Sequence, residues 1–263
     1  MNILTFDIED WFHTHKNRQQ FSGHQWSRLP AKVETNTERI LDLLDELNLK
    51  ATFFVLGWVA KYHPNLIKQI HSRGHDIAAH SHWHHNPHLI SPVDFEKDLK
   101  LCLSSIEDVI GEKVTMYRAP GFNLQLKDMW AFAILSHYGI KVDSSVELYP
   151  FQKKEPFVIN WGKSKIMEFP LILSPFGYPY TGGGYFRVIP LNMLQLLFKK
   201  QQYHLLYFHP RDFDYNNPDS NMFSFFRNKL NSFNTDICLN KVKVILSQYK
   251  TQSIGEAIKK LED

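Results

Sequence analysis

The sequence has few cysteines, no long hydrophobic run and no basic cluster. Its two cysteines, Cys102 and Cys238, are too few for a disulfide framework or a cysteine-rich zinc site. No apolar run reaches the roughly 18 residues needed to cross a bilayer, so we expect no transmembrane segment. A net charge of +3 without a basic stretch gives no electrostatic footprint for nucleic acid. These absences exclude a disulfide-rich or cysteine-rich zinc protein, a membrane-spanning protein and a nucleic-acid-binding protein.

The first residues also lack the basic start, apolar core and small-residue cleavage site of a signal peptide, and instead predict a strand. We therefore expect a cytosolic protein. The apolar and basic stretch 222–233 is compatible with a peripheral position at the inner membrane face, although a helix docked on the rest of the protein is the favoured interpretation.

The pattern of segments predicts an α/β fold. With 263 residues and no internal repeat or linker, the chain is expected to form one domain over residues 1–263. Strand-like and helix-like segments alternate, as in a parallel α/β protein. Strands are predicted at 3–7, 51–56, 76–79, 115–118, 140–143 and 204–208, a local hairpin at 157–169, and helices at 38–47, 65–72, 91–110, 126–137, 191–201 and 236–249.

Polar residues follow the predicted strands at their carboxyl ends. They are Asp7, His80, Arg118, Asp143 and His209. In a barrel of parallel strands these ends form one rim, and that rim is where catalysis takes place. Five strand ends that each carry a catalytic residue type indicate an enzyme.

A histidine pair near the middle of this set predicts a metal site. If the segment turns helically, His80 and His84 share one face, close enough to bind one ion. In a chain with 14 histidines such a pair is moderate evidence alone. The neighbouring histidines are expected to be loop residues or partners of the ligands: His82, His85 and His88.

A catalytic metal site also needs a third ligand, and the end of the first strand offers carboxylates. Strand alternation places Asp7 and Glu9 on one side, which favours Glu9 as the ligand. The shorter side chain and the bend after the strand favour Asp10. The choice between Glu9 and Asp10 stays open.

This set of motifs resembles the NodB-type polysaccharide deacetylases, the carbohydrate esterase family 4 type. The resemblance spans residues 3–209, and it implies a distorted (β/α)7 barrel. The opening at 7–12 and the glycine-rich segment at 182–187 resemble the branch found in exopolysaccharide and surface-glycan gene clusters. In chain order, the motifs are Thr5-Phe6-Asp7, His80-Ser81-x-x-His84, Arg118-Ala119-Pro120, Asp143 and Leu206-x-x-His209.

The resemblance implies a hydrolase that removes the N-acetyl group from an N-acetylhexosamine unit, with a divalent metal, expected to be Zn²⁺. Asp7 is implied to be the general base for a metal-bound water, and Arg118 to keep Asp7 charged. The backbone N–H of Gly121 is implied to stabilise the oxyanion. His209 is the implied acid for the leaving amine, with Asp143 orienting it.

Side chains near these motifs are candidates for substrate binding. We assign Phe122, Tyr185 and Arg187 to the substrate groove. Arg211 suits either an anionic group on the substrate or an ion pair with Asp212 or Asp214. The expected partner is an N-acetylated sugar in a cytosolic or lipid-linked glycan precursor.

Two other functions compete with this hypothesis. The superfamily also contains cyclic-amide hydrolases that lack the metal, and retention of both His80 and His84 argues against that group. A catalytically inactive glycan-binding domain is the second alternative, and the complete set of catalytic residue types argues against it.

Overall fold

The computed structural model describes residues 1–14, 23–149, 155–161, 163–174, 177–214 and 235–262. Its strands are β1 Asn2–Ile8, β2 Thr52–Val55, β3 Asp76–Ala79, β4 Met116–Tyr117, β5 Val142–Asp143, β6 Glu147–Leu148, β7 Phe157–Trp161, β8 Ser164–Glu168, β9 Leu171–Ile172 and β10 His204–Phe208. Its helices are α1 Val33–Glu46, α2 Gly57–Tyr62, α3 Pro64–Ser72, α4 Pro92–Ile110, α5 Met129–His137, α6 Gly183–Val188, α7 Leu191–Lys200, α8 Thr235–Gln248 and α9 Ile254–Glu262. A further helical turn covers Gly23–Trp26.

An eight-stranded curled sheet organises the fold in the order β10-β1-β2-β3-β4-β5-β8-β7. All neighbouring strands run parallel except β7 and β8, which form the predicted antiparallel hairpin. The seven parallel strands and their helices confirm the predicted α/β barrel-type architecture. β1 lies between β10 and β2 and is buried on both faces from Ile3 to Ile8, as expected for a covered parallel strand.

The register brings the carboxyl ends of the parallel strands to one edge. Tyr117 of β4 pairs with Asp143 of β5, which in turn pairs with Glu168 of β8. His80, Arg118 and His209 each come directly after the last residue of a strand. Asp7 is the last residue but one of β1, and Asp143 is the last residue of β5. The five predicted side chains therefore lie at the carboxyl ends of strands, and Glu168, the last residue of β8, adds a sixth.

Local signals define both ends of α4. Ser91 caps α4 by accepting a hydrogen bond from the N–H of Asp94, and Gly111 ends it in a left-handed conformation with φ of 75°. α1 begins at Val33, five residues before the predicted start at position 38, because the Asp10 carboxylate accepts the N–H groups of Lys32 and Val33. That cap comes from a distant part of the chain, so the local pattern does not reveal it.

The sequence allows membrane contact at the stretch 222–233 and predicts no membrane-spanning segment. The stretch 222–233 lies outside the described residues. Within the part of the chain that the structure describes, no helix is both long and apolar enough to cross a bilayer.

Candidate active site

Three buried side chains form a group with the geometry of a metal site. Glu9 at the end of β1, and His80 and His84 after β3, each offer one ligand atom, and these atoms lie within 4.8 Å of one another. The backbone carbonyl of Arg118 lies 2.9 Å from His80 Nδ1 and accepts a hydrogen bond from the Nδ1–H group. The lone pair of the ring is therefore on Nε2. Burial lowers the pKa of His80 to about 4, so this imidazole is neutral at pH 7. Two imidazoles and one carboxylate make a donor set that suits Zn²⁺ and leaves an open position.

The two histidines meet through a left-handed turn rather than the helical turn considered from the sequence. Ser81 and His84 have φ values of 65° and 56°. The buried carboxylate of Asp98 on α4 holds this turn by accepting the N–H groups of His82 and Trp83 at 2.8 and 3.0 Å. A backbone in this region costs free energy and persists only when its surroundings fix it.

Asp10 does not join this group. One of its carboxylate oxygens accepts the N–H of Trp11 at 2.8 Å, and the other accepts those of Lys32 and Val33 at 2.6 and 2.9 Å. Burial raises the pKa of Asp10 although these three bonds oppose the shift. The carboxylate ties the start of α1 to the end of β1, which corrects its inclusion among the metal-ligand candidates.

Asp7 is held by an arginine that is itself completely enclosed. Arg118 Nη1 donates to Asp7 Oδ1 at 2.7 Å and to Thr5 Oγ1 at 2.9 Å. The guanidinium lies between the rings of Phe54 and Phe122, 3.9 and 4.7 Å from their centroids. Burial opposes ionisation of Asp7, but Arg118, His80 and His209 outweigh it and lower the pKa of the carboxyl. Asp7 is therefore charged and fixed in direction.

His209 faces both carboxylates at the end of β1. Its Nε2 lies 3.0 Å from Glu9 Oε1 and 3.8 Å from Asp7 Oδ2. Its Nδ1 lies 3.3 Å from Asp212 Oδ2. Burial and Arg211 oppose protonation, but the hydrogen bonds with Asp212 and Glu9 raise the pKa of His209 to about 9. His209 is thus a proton-carrying group at neutral pH.

The assignment of Asp143 as the residue that orients His209 is wrong, because Asp212 occupies that place. Asp143 Oδ1 accepts a hydrogen bond from Ser145 Oγ at 2.7 Å, and Ser145 Oγ accepts one from the N–H of Ala119 at 2.7 Å. Asp143 therefore supports the loop that begins at Ala119.

A second buried carboxyl lies beside Asp143. Burial raises the pKa of both Asp143 and Glu168, and that of Glu168 most strongly, since the Asp143 charge adds to the effect. Glu168 therefore keeps its proton and donates a hydrogen bond to Asp143. Its Oε1 accepts a hydrogen bond from the N–H of Val146 at 3.1 Å. Because Glu168 is neutral, Asp7 and Asp143 are the carboxylates that balance the positive charge of Arg118.

Replacing Glu168 by Gln is expected to make the protein less sensitive to alkaline pH. Since the folded-state pKa of Glu168 lies above its ordinary 4.5, the folded chain holds a proton that the unfolded chain releases, and stability falls as the pH rises between those two values. Gln keeps a donor towards Asp143 and has no proton to lose. The free energy of unfolding of Glu168→Gln, relative to wild type, should rise by up to about 1.4 kcal/mol per pH unit in this window.

Urea unfolding from about pH 5 to about pH 9 measures this difference. Glu38→Gln, on the exposed side of α1, is the control and should show no such trend. A difference between Glu168→Gln and wild type that stays constant with pH would contradict a protonated Glu168.

The loop after β4 carries Gly121, whose backbone N–H is the predicted oxyanion donor. Gly121 and Phe122 lie in a 3-10 turn with φ values of 69° and 54°. Asn123 Nδ2 donates to the carbonyl of Pro120 at 2.8 Å and fixes the turn. Phe122, assigned to the groove from the sequence, covers Arg118 and contacts the ring of Tyr207 at 4.9 Å between centroids.

The glycine-rich segment forms the start of α6. A Cβ at Gly183 would overlap the carboxylate of Asp212, so glycine is needed here for close approach. Arg187, four residues later on the same side of α6, is buried with Nη2 3.7 Å from Asp212 Oδ1. Its Nη2 therefore faces Asp212, and its assignment to the substrate groove stays a prediction. Tyr185 is 39% exposed, at a ring-centroid distance of 6.0 Å from Tyr178.

Arg211 has a role that the sequence did not suggest. Its Nη1 lies 2.9 Å from Glu9 Oε1 instead of pairing at the surface with Asp212 or Asp214. Burial opposes ionisation of Glu9, but His84 and Arg211 outweigh it and lower the pKa of the carboxyl well below its ordinary value. Glu9 is charged in its buried position.

Comparison with known proteins shows the family of this chain. The family model described as "Polysaccharide deacetylase" matches residues 3–140, which is more than half of the chain. The chain belongs to the polysaccharide deacetylase family. A second model, described as "Domain of unknown function (DUF3473)", matches residues 133–259 of this family member.

Two curated relatives match parts of this deacetylase-family chain. A peptidoglycan-N-acetylglucosamine deacetylase of Bacillus cereus is 32% identical over 36% of this chain and 35% of its own length. A chitooligosaccharide deacetylase of Rhizobium leguminosarum bv. trifolii is 38% identical over 24% of this chain and 30% of its own length. The chain thus spans about a third of these curated relatives.

Solved structures share the fold over nearly the whole chain. The crystal structure of a polysaccharide deacetylase candidate from Mycobacterium smegmatis matches 99% of this chain and 89% of its own, with a TM-score of 0.67 and 18% identity. A family 4 carbohydrate esterase from Streptomyces lividans matches 95% of this chain and 90% of its own, with a TM-score of 0.54 and 13% identity. At these identities the likeness supports the fold.

Proposed function

We propose that this protein is a metal-dependent N-deacetylase that acts on an N-acetylhexosamine unit of a bacterial surface-glycan precursor. One observation carries the proposal: Asp7 and His209 flank the buried Glu9, His80 and His84 group at one edge of the sheet. A negatively charged base and a protonated acid beside a metal donor set are what amide hydrolysis requires.

Glu9, His80 and His84 would hold the metal, for which Zn²⁺ is our candidate. When bound, a divalent ion supplies Lewis-acid polarisation of the acetyl carbonyl and makes water more acidic. Arg211 and His209 contact Glu9 in the structure, so both side chains limit where the Glu9 carboxylate can move.

Asp7 is the proposed general base. Its low pKa keeps it ionised at neutral pH. Arg118 donates a hydrogen bond to Oδ1, so Oδ2 is the oxygen that takes the proton of the attacking water. The Gly121 N–H, in the turn supported by Asp143 through Ser145, is the proposed donor to the oxyanion.

His209 is the proposed general acid. Its raised pKa keeps a proton on Nε2, the nitrogen that faces Asp7 and Glu9, and this proton goes to the leaving amine. Asp212 holds Nδ1 and stabilises the charged ring. Gly183 and Arg187 fix the position of Asp212.

The sugar class follows from the relatives. The names of two of them specify peptidoglycan N-acetylglucosamine and chitooligosaccharide, both of which present N-acetylhexosamine units. We carry over that shared chemistry. A cytosolic or lipid-linked precursor as the carrier of this unit remains a prediction from the sequence, as does a single domain over residues 1–263.

An acetate-release assay tests the proposal. Purified protein loaded with Zn²⁺ is incubated with matched N-acetylated and O-acetylated sugars, and free acetate is measured. We expect acetate from N-acetylated sugars and much less from the O-acetylated set. Failure of folded, metal-loaded protein to release acetate from any N-acetylated sugar would contradict the proposed function and favour a glycan-binding domain.

Asp212→Asn is expected to lower kcat by about 10- to 100-fold on N-acetylated sugars, part of what a general acid contributes. Loss of the carboxylate lowers the pKa of His209, so the alkaline limb of the pH profile should move to lower pH. An aryl acetate, whose leaving group departs without a proton, should be hydrolysed almost as fast as by wild type.

Asp214→Asn serves as the matched control for this test. Asp214 is equally buried in the same segment, but its Oδ1 lies 3.6 Å from Lys32 Nζ, and it should leave the pH profile unchanged. Equal loss on sugar amides and aryl acetate in Asp212→Asn would show a purely structural role.

A further inference from the structure

One long stretch of the chain carries no acidic residue. Positions 169–211 contain no Asp and no Glu. Their lysines and arginines are Arg187, Lys199, Lys200 and Arg211. The two arginines face the buried carboxylates of Asp212 and Glu9, whereas both lysines are exposed. The exposed charges of this stretch are therefore positive.

The same stretch exposes apolar side chains on two consecutive helices. Val188 at the end of α6 is 56% exposed, and Met193 and Leu196 on α7 are 53% and 52% exposed. Met193 and Leu196 are three residues apart, and the two lysines follow Leu196 by three and four residues, so these side chains share one side of α7. We name these five residues the α6–α7 face: Val188, Met193, Leu196, Lys199 and Lys200.

The opposite side of α7 holds the helix on the rest of the protein. Leu194 and Phe198 are buried there. The ring of Phe198 stacks on His204 with centroids 4.2 Å apart, and Tyr249 Oη donates a hydrogen bond to the carbonyl of Gln195 at 3.1 Å. Packing of α7 therefore uses this side, and the α6–α7 face points away from it.

α6 connects this face to the active site. The helix begins where Gly183 packs against the carboxylate of Asp212, the partner of His209. It ends at Val188, the first residue of the α6–α7 face. At 1.5 Å per residue the face begins within about 10 Å of the edge that carries His209.

The composition of the face favours a bilayer surface with anionic lipid. Apolar side chains can enter the headgroup region, and lysines at the border of an apolar patch bind anionic headgroups. Tyr178 and Tyr185, also exposed, lie 6.0 Å apart between ring centroids near the start of α6, and tyrosine is enriched at membrane–water interfaces. A second copy of this chain would bring the same face, which has no carboxylate for the lysines.

We propose that the α6–α7 face docks the protein on a bilayer that contains anionic lipid, with the active-site edge close to the bilayer surface. A substrate carried on a lipid would then present its sugar near that edge. Docking does not depend on the proposed N-deacetylase function, and it is measured without acetate release.

Co-sedimentation with vesicles tests this docking. The probes are vesicles of phosphatidylcholine alone and vesicles of equal parts phosphatidylcholine and phosphatidylglycerol. Wild type should bind the mixed vesicles, and less well when NaCl is raised from about 0.1 M to about 1 M, because the Debye length falls from about 10 Å to about 3 Å. Lys199→Gln/Lys200→Gln should weaken binding about 25-fold, since each lysine near an anionic surface contributes about fivefold.

Lys259→Gln/Lys260→Gln is the matched control. Both pairs are exposed and lie in the last turn of a helix, α7 or α9, and each double substitution removes two positive charges. The control should bind the mixed vesicles like wild type. Wild type that does not bind them would overturn the proposal, as would an equal loss in the two double variants.

A fluorescent label tests whether the face enters the bilayer. Cys102 and Cys238 are buried, so Leu196→Cys adds one exposed thiol for a nitrobenzoxadiazole label. Its emission should shift to shorter wavelength on the mixed vesicles. The same label at Leu101→Cys, 41% exposed on α4, should not respond. No shift at Leu196→Cys, or equal shifts at both positions, would contradict insertion of this face.

Sedimentation velocity without lipid separates bilayer docking from pairing of two copies. Leu196→Gln, at an exposed position, should leave the sedimentation coefficient at its wild-type value across protein concentrations. On the mixed vesicles the same variant should bind at least about tenfold more weakly, through loss of an inserted apolar side chain. A wild-type dimer that Leu196→Gln dissociates would assign the face to a second copy and overturn the proposal.

Discussion

Asp7→Asn is expected to lower kcat for acetate release by about 10²- to 10⁴-fold, the contribution typical of a general base, while the protein keeps its metal. Asn preserves the shape of the side chain and can still accept the hydrogen bond from Arg118 at Oδ1. It removes the negative charge that takes the proton. Steady-state kinetics together with metal analysis of the same preparation measure both effects.

The outcome of this substitution separates a base from a ligand. Asp7 lies outside the group of Glu9, His80 and His84, whose ligand atoms lie within 4.8 Å of one another. Metal content at the wild-type level with turnover lost would agree with the mechanism. Near-normal acetate release from Asp7→Asn would remove Asp7 as the base.

Glu9→Gln is expected to weaken metal binding by more than about 100-fold, because it removes the carboxylate of the donor set. Loss of a residue that only hydrogen-bonds a metal ligand typically weakens binding by about 10- to 100-fold. His80→Ala should lose the metal as well, since it removes an imidazole whose Nε2 is directed to the site by the Arg118 carbonyl. Titration of metal-free protein with Zn²⁺ measures both affinities.

Asp10→Asn is the matched control for Glu9→Gln, since it alters the adjacent buried carboxylate. The metal affinity should stay near wild type, while the free energy of unfolding falls by about 0.5–2 kcal/mol through loss of the cap on α1. A folded Asp10→Asn protein without metal, next to a metal-binding Glu9→Gln, would reverse the ligand assignment.

The residue types at the strand ends were predictable because parallel strands present their last side chains at one edge. Asp7, His80, Arg118, Asp143 and His209 all occur there. Period-two and period-3.6 patterns locate strands and helices, and Ser91 and Gly111 mark the ends of α4 by capping chemistry that is local in sequence.

The partners of these residues were harder to predict, because they depend on how distant segments meet. Glu9 and Asp10 are adjacent in sequence, and their roles differ because α1 begins where its first N–H groups reach Asp10 and not Glu9. Glu168 was unrecognised because β8 was predicted only as part of a hairpin, whereas it pairs with β5 and brings its last residue to Asp143.

One missed residue did carry a local signal. His209 is followed by proline and, three residues on, by Asp212, and Asp212 Oδ2 accepts the backbone N–H of His209 at 2.9 Å and faces its Nδ1 at 3.3 Å. An acid at that spacing from a candidate catalytic histidine indicates the orienting carboxylate. Assigning that role to Asp143 from the order of motifs passed over this nearer residue.

Metal-dependent turnover is the measurement that most directly tests the central claim that Glu9, His80 and His84 hold a metal for amide hydrolysis. The protein is stripped with a chelator and titrated with Zn²⁺ while acetate release from an N-acetylated oligosaccharide is recorded. The rate should fall to background after stripping, recover in proportion to occupancy and saturate at a single ion per chain. Acetate release that is unchanged after complete removal of metal would contradict the claim.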